Sequence, residues 1–86
     1  MTEKMIKLYQ FETCLYCARV RAVMSELELT YININVPRAM SERTELLEVS
    51  GQPGVPTMVT EDGQVIVDDD DAIIAYLRER YSKAST

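Results

Sequence analysis

Over residues 4–36 the hydrophobic period of the chain changes twice, and nothing else in the sequence restricts the fold as strongly. From Lys4 to Tyr9 the residues alternate, with Ile6 and Leu8 on one face, which is the period of a strand. Val20, Val23, Met24 and Leu27 then fall at i, i+3, i+4 and i+7, the stripe of an amphipathic helix. Tyr31 to Val36 alternates again, with Ile32, Ile34 and Val36 on one face. Strand, helix and strand at this spacing make a right-handed parallel crossover the expected geometry.

The rest of the chain adds to that unit. Pro37 closes the second strand, and Ser41 reads as the N-cap of a helix through Leu46, Leu47 and Val49, stopped at Gly51. Pro56 to Thr60 and Gln64 to Val67 are short apolar runs separated by Glu61-Asp62-Gly63, a hairpin signal. A last helix starts at the aspartates and carries Ile73, Ile74, Leu77 and Tyr81 as its apolar stripe. Its acids lie at the start and Arg78, Arg80 and Lys83 near the end, as the helix dipole prefers. The order β-α-β-α-β-β-α predicts an α/β fold, a mixed four-stranded sheet flanked by helices, with residues 1–86 as a single domain.

Composition removes several chemistries. The 86 residues include no histidine, so neither a Ser-His-Asp nor a Cys-His nucleophilic pair is available, and no histidine-ligated metal. A net charge of −5 argues against nucleic acid, whose affinity comes mostly from cations on phosphates. No run approaches the roughly 18 consecutive apolar residues of a membrane span, and Met1-Thr2-Glu3-Lys4-Met5 has no apolar signal-peptide core. The expected setting is the cytoplasm, with no membrane partner. In a reducing compartment a close pair of cysteines is more often catalytic or metal-binding than a structural staple.

That pair is Cys14-Leu15-Tyr16-Cys17, between the first strand and the first helix. The spacing puts Cys14 at the helix start, where exposed N–H groups and the dipole favour a thiolate, and Cys17 one turn inside. Arg19 and Arg21 add positive charge nearby. A thiolate at Cys14 can attack a disulfide, and Cys17 can then displace the mixed disulfide. Three other readings compete with this one. A zinc site within one chain needs about four ligands, and only two cysteines are present. The cysteines can be small buried apolar residues, or partial ligands of a cluster shared between two chains. Two further signals stand beside the pair. Gly51-Gln52-Pro53-Gly54-Val55-Pro56-Thr57 reads as a rigid turn with proline entering a strand, and Asp68-Asp69-Asp70-Asp71 as a cap before a helix.

With these pieces together the chain resembles a glutaredoxin across nearly its whole length. It is similar above all to the stand-alone, glutaredoxin-like form of the glutathione S-transferase N-terminal domain. The resemblance rests on LYQFETCLYCARVR at 8–21, GQPGVPTMV at 51–59 and DDDAIIAYLRERY at 69–81. It implies a thioredoxin-like fold, with a cis proline at Pro56 facing the active cysteine. It also implies glutathione as co-substrate, with Cys14 as nucleophile and Cys17 resolving protein disulfides. Tyr16 would line the sulfur site, the Val55 backbone before Pro56 would pair with the cysteinyl part of glutathione, and Asp69 and Asp70 would take its γ-glutamyl end. The sequence departs from the family in three places. Leu15 replaces the proline of the common CPYC motif, and Phe11 and Glu12 stand where a basic residue is frequent. Pro53 replaces an arginine that is one candidate for gripping the glycyl carboxylate, leaving Gln52, with Arg38 or Arg43 as substitutes.

The function expected is a monomeric glutathione-dependent thiol–disulfide oxidoreductase acting on glutathionylated or disulfide-containing proteins, with no bound metal. The alternatives are a dimer holding an iron–sulfur cluster through Cys14 and glutathione, and a non-catalytic binding module.

Overall fold

A computed structural model describes residues 5–82 of the chain. Its strands are β1 (Lys7–Gln10), β2 (Ile32–Asn35), β3 (Thr57–Val59) and β4 (Val65–Ile66). Its helices are α1 (Leu15–Glu26), α2 (Thr44–Ser50) and α3 (Asp70–Tyr81). The sheet runs β2-β1-β3-β4, with β1 parallel to β2 and antiparallel to β3, and β3 antiparallel to β4. This is the order and the mixed sheet expected from the sequence.

β1 is interior, and its alternation ends where both faces of the sheet are covered. Leu8 is fully buried with Val20, Val23 and Met24 of α1, Met58 of β3, and Ile73 and Leu77 of α3. Tyr9, on the opposite face, packs with Val36 and with Leu46 of α2. Thus α1 and α3 cover one face and α2 the other. The strand was expected to begin at Lys4 and the last helix to carry Lys83 near its end; both residues lie outside the described residues. β2 is an edge strand, so its apolar face is covered unevenly: Ile32 is 41% exposed while Val36 is buried.

The expected cap at Ser41 is not formed. Ser41 lies within a 3-10 turn, Met40–Glu42, and α2 begins a residue after Arg43 with no side-chain cap. The reason is tertiary. Arg43 is 5% exposed and donates to the carbonyls of Pro37 (2.7 Å), Arg38 (3.1 Å) and Pro53 (2.7 Å). Those bonds gather the connection after β2 into a tight turn and postpone the helix. Its end is as expected, Gly51 closing α2 in the left-handed region at φ +80.

The β3–β4 strands are shorter than the apolar runs that announced them, because Pro56 has no N–H to give the ladder and Thr60 already turns. Thr60 N–H donates to Gln64 O at 2.8 Å, and Gly63 adopts φ +92. Asp69 caps α3 by accepting from Ala72 N–H at 3.0 Å. Arg19 bonds Asp70 and Asp71, and Arg78 bonds Glu26, so ion pairs tie α1 to α3 at both ends.

The Tyr9 hydroxyl donates to Glu45 Oε2 at 2.8 Å. Burial first, and then that bond, push the phenol up to about 12 from 10.0. Between those values the unfolded chain has lost a proton that the folded chain keeps. The stabilisation is therefore fully present below about pH 10 and is lost as pH rises toward 12. Tyr81, raised to about 12 by burial and by Glu61, acts in the same direction. Urea unfolding at a series of alkaline pH values should show this decline, and Tyr9→Phe should make it shallower.

Candidate functional site: a thiol at the mouth of a cleft

β1 ends at Gln10, and the turn that follows delivers Cys14 to the start of α1. Cys14 N–H donates to Phe11 O at 3.2 Å, and Cys14 takes the N-cap position with extended backbone, φ −75 and ψ 118. Its Sγ accepts from Cys17 N–H at 3.2 Å, in the role usually filled by a side-chain oxygen. The first turn of α1 carries no acid, so the positive end of the helix dipole faces that sulfur unopposed by its own residues.

Both cysteines are free thiols, and their environments differ. Cys14 is half-buried at the surface and Cys17 is completely buried. Burial, with the hydrogen bond to Cys14 second, pushes the Cys17 thiol up to about 12. The Phe11 backbone and Arg21 pull more weakly the other way. One sulfur is accessible and the other is held protonated behind it.

Beside Cys14 opens a cleft of about 520 Å³. Phe11, Cys14 and Tyr16 reach it from the β1–α1 turn and the start of α1, and Arg38, Met40 and Arg43 from the β2–α2 connection. Gly54 and Val55 reach it from the α2–β3 loop, and Asp68 from the residues before α3. Four connections thus converge at the end of the sheet where the parallel strands finish, the usual position of ligand sites in such sheets. The guanidinium carbons of Arg38 and Arg43 each lie 5.5 Å from the centre of the Phe11 ring. The positive charge absent from positions 11 and 12 is supplied here from the opposite wall. Arg43 bonds only backbone carbonyls, and among the described residues no carboxylate pairs with it.

The expected site residues separate into three groups. Cys14, Tyr16 and Val55 line the cleft together. Pro56, joined to Val55 by a cis peptide bond, is buried beside them, and Cys17 lies behind Cys14. Gln52 is committed to its own loop: Nε2 donates to Ser50 Oγ, Gly54 O and Thr57 Oγ1, and Oε1 accepts from Gly54 N–H at 2.6 Å. Asp69 caps α3 and Asp70 pairs with Arg19; the aspartate that lines the cleft is Asp68.

Asp68 was passed over because four identical acids in a row offer nothing to separate them. Only its left-handed backbone, φ +48, with its N–H on Thr57 Oγ1 at 3.2 Å, singles it out. Met40 and Gly54 were also missed, the first because its exposure is set by the turn that Arg43 gathers. Among the described residues no group of three or more His, Cys, Asp or Glu is placed to hold a metal ion. No described helix is long and apolar enough to cross a membrane.

Comparison with known proteins adds three findings. Residues 8–85 match the family described as the glutathione S-transferase N-terminal domain. An uncharacterized glutaredoxin-like 8.6 kDa protein encoded in the rubredoxin operon of Clostridium pasteurianum is 34% identical over 76 residues, covering 88% of this chain and 100% of that protein. Among solved structures, glutathione transferase E6 of Drosophila melanogaster is 36% identical with a TM-score of 0.77, over 91% of this chain and 36% of that one. A glutathione transferase homolog from Drosophila mojavensis, solved with bound glutathione, is 28% identical with a TM-score of 0.81, over 92% and 36%. The chain spans the whole of the clostridial relative and just over a third of each fly protein. The fold is thioredoxin-like, that of the transferase N-terminal domain.

Gly54 provides a test of how the cleft wall is built. A Cβ there would lie 2.5 Å from the Asp68 carboxylate and 2.6 Å from Gln52 Oε1. Gly54→Ala should destabilise the chain by about 1–3 kcal/mol. Adding Asp68→Gly, which removes the Asp68 contact but not that with Gln52 and suits the positive φ, should recover part of that loss in urea unfolding.

Proposed function

The chain belongs to the glutathione S-transferase N-terminal domain family, and on that premise we propose that it is a glutaredoxin-type thiol–disulfide oxidoreductase with glutathione as co-substrate. One observation carries the reading: Cys14 caps α1 at the mouth of the cleft with Cys17 buried one turn behind it. That arrangement supplies an accessible nucleophile and a protected second thiol without histidine, acid–base relay or metal.

In the proposed cycle the Cys14 thiolate attacks the glutathione sulfur of a glutathionylated protein. The protein thiol leaves, and Cys14 carries the glutathione mixed disulfide. A second glutathione thiolate then attacks that disulfide, releasing oxidised glutathione and restoring Cys14. With a protein disulfide, Cys14 forms the mixed disulfide and Cys17 displaces the substrate thiol, leaving a Cys14–Cys17 bond that two glutathiones reduce. Glutathione would lie along the cleft with its cysteinyl main chain against Val55. Arg38 and Arg43 suit a carboxylate, and Asp68 suits an ammonium group. Asp69 and Asp70 at the start of α3 contribute through that helix end more than through free carboxylates. Tyr16, 62% exposed, would cover the sulfur, and Gln52 would hold the loop that presents Val55. The glutathione bound to the Drosophila mojavensis homolog supports this choice of ligand. We place the activity in the cytoplasm, with residues 1–86 acting as one domain.

Replacing Cys14 with Ser should abolish glutathione-coupled reduction of a glutathionylated peptide, whereas Cys17→Ser should retain it and lose only reduction of protein disulfides. The mass of the trapped intermediate should show one glutathione on Cys14. Equal loss in both variants would contradict this division of labour.

A further inference from the structure

Arg21 follows Cys17 by four residues on α1, an i, i+4 pair sharing one face of the helix. Its guanidinium donates to Gln10 Oε1 and to the Glu12 carbonyl, the latter at 3.2 Å. Gln10 is itself only 1% exposed at the end of β1, and its Nε2 donates to Asn35 Oδ1 at 2.7 Å, which also receives Asn33 Nδ2 at 3.1 Å. Both ends of the Gln10 amide are thus engaged, and it fixes the cation under the turn that carries the two cysteines. The carboxylate nearest to it, Glu12 at 3.9 Å, is 86% exposed and screened by water. The charge of Arg21 is left to act on its helical neighbour.

We propose that Arg21, anchored by Gln10, is a positioning residue for the second thiol exchange: it holds a cation beside Cys17 and sets the rate at which that thiol resolves a mixed disulfide on Cys14. The proposal rests on the dithiol reading above. In the step concerned, Cys17 Sγ gives its proton to water and attacks Cys14 Sγ. The Cys14–Cys17 bond forms and the bond from Cys14 to the substrate sulfur breaks. The electron pair leaves on the substrate sulfur, which takes up a proton. The two cysteines are oxidised, the substrate thiol is reduced, and glutathione later returns the pair to the dithiol.

Burial opposes the first event, as does the hydrogen bond to Cys14; the Phe11 backbone and Arg21 favour it, with Glu12 facing Arg21 from the turn. Once Cys14 is in a mixed disulfide it no longer carries a competing charge, and Arg21 is the cation left opposing burial. Neutralising Arg21 lowers the thiolate fraction of Cys17. The remaining thiolate is more basic and more nucleophilic, so a tenfold loss of thiolate slows attack by only roughly threefold.

The experiment mixes reduced protein with glutathione disulfide, quenches in acid at intervals, and follows the glutathione adduct on Cys14 by mass, across neutral to alkaline pH. Release of that adduct by Cys17 should be roughly threefold slower in Arg21→Gln than in the unsubstituted protein. Arg21→Lys, which keeps the charge, should recover most of the rate. In a Cys17→Ser background, exchange of free glutathione at Cys14 should be the same with and without Arg21→Gln. Unchanged release in Arg21→Gln would overturn the proposal. Equal slowing of Cys14 exchange in the Cys17→Ser background would overturn it too, since Arg21 would then only shape the turn. Failure of the unsubstituted protein to form any adduct would instead remove the dithiol reading, and the proposal with it.

Discussion

The cleft depends on a guanidinium buried without a counter-ion. Removing Arg43 from water costs several kcal/mol, and no described carboxylate offsets it. What does so is three carbonyls aimed at one planar group, each such bond contributing about 1.5–3 kcal/mol, together with the face of Phe11. Those carbonyls belong to Pro37 and Arg38 on one connection and Pro53 on another. The same group therefore fixes the distance between the turn that carries Arg38 and Met40 and the loop that presents Val55. The opposite wall is set by a second close approach, the Asp68 carboxylate against Gly54, where no side chain fits. A lysine at position 43 would supply the charge but not the planar fork that reaches three acceptors.

The two cysteines share one helical turn yet are driven apart in character by position alone. Cys14 lies at the helix end, where the backbone N–H of Cys17 points at its sulfur. Cys17 lies on the face that packs against the sheet, where an uncharged sulfur is a small apolar group and a charged one is costly. The same burial that makes Cys17 a good core residue would make it a slow nucleophile, so core packing and the proposed redox step compete for one side chain. A fixed cation such as Arg21 eases that conflict without adding polar surface to the core.

Most of the fold was legible because its elements obey a local period. The α1 stripe of Val20, Val23, Met24 and Leu27 is all buried, and the Asp-Gly hairpin and the Gly51 stop are where the residue types require them. The failures are tertiary. Ser41 is a residue type favoured at N-caps, but Arg43, two residues later, is drawn into the protein and takes the chain with it. Gln52 looked free to meet a ligand, and instead its amide satisfies a loop that has no ladder of its own. The acidic run shows the limit most plainly. Residue type says that one aspartate caps α3 and another can face a cleft, but which one faces it turns on a single positive φ at Asp68 that no period encodes. That the motif residues Cys14, Tyr16, Cys17, Val55 and Pro56 gather at one candidate cleft was readable in advance; the charges that meet there across loops were not.

That Cys14, the nucleophile of the proposed cycle, is also the helix cap has a consequence for any attempt to separate chemistry from architecture. Serine, threonine, aspartate and asparagine lead the residues found at this position, because an oxygen accepts from the helix N–H groups better than sulfur does. Serine at position 14 therefore keeps, and if anything improves, the bond now made with Cys17 N–H at 3.2 Å. Alanine at the same place would lose the thiol and, relative to serine, about 0.5–2 kcal/mol of capping. The start of α1 also carries the buried Cys17 and sets the mouth of the cleft, so a frayed cap would disturb the remaining thiol and the cleft at once. Serine removes the sulfur and leaves the turn in place, and any function lost on that change belongs to the thiol itself.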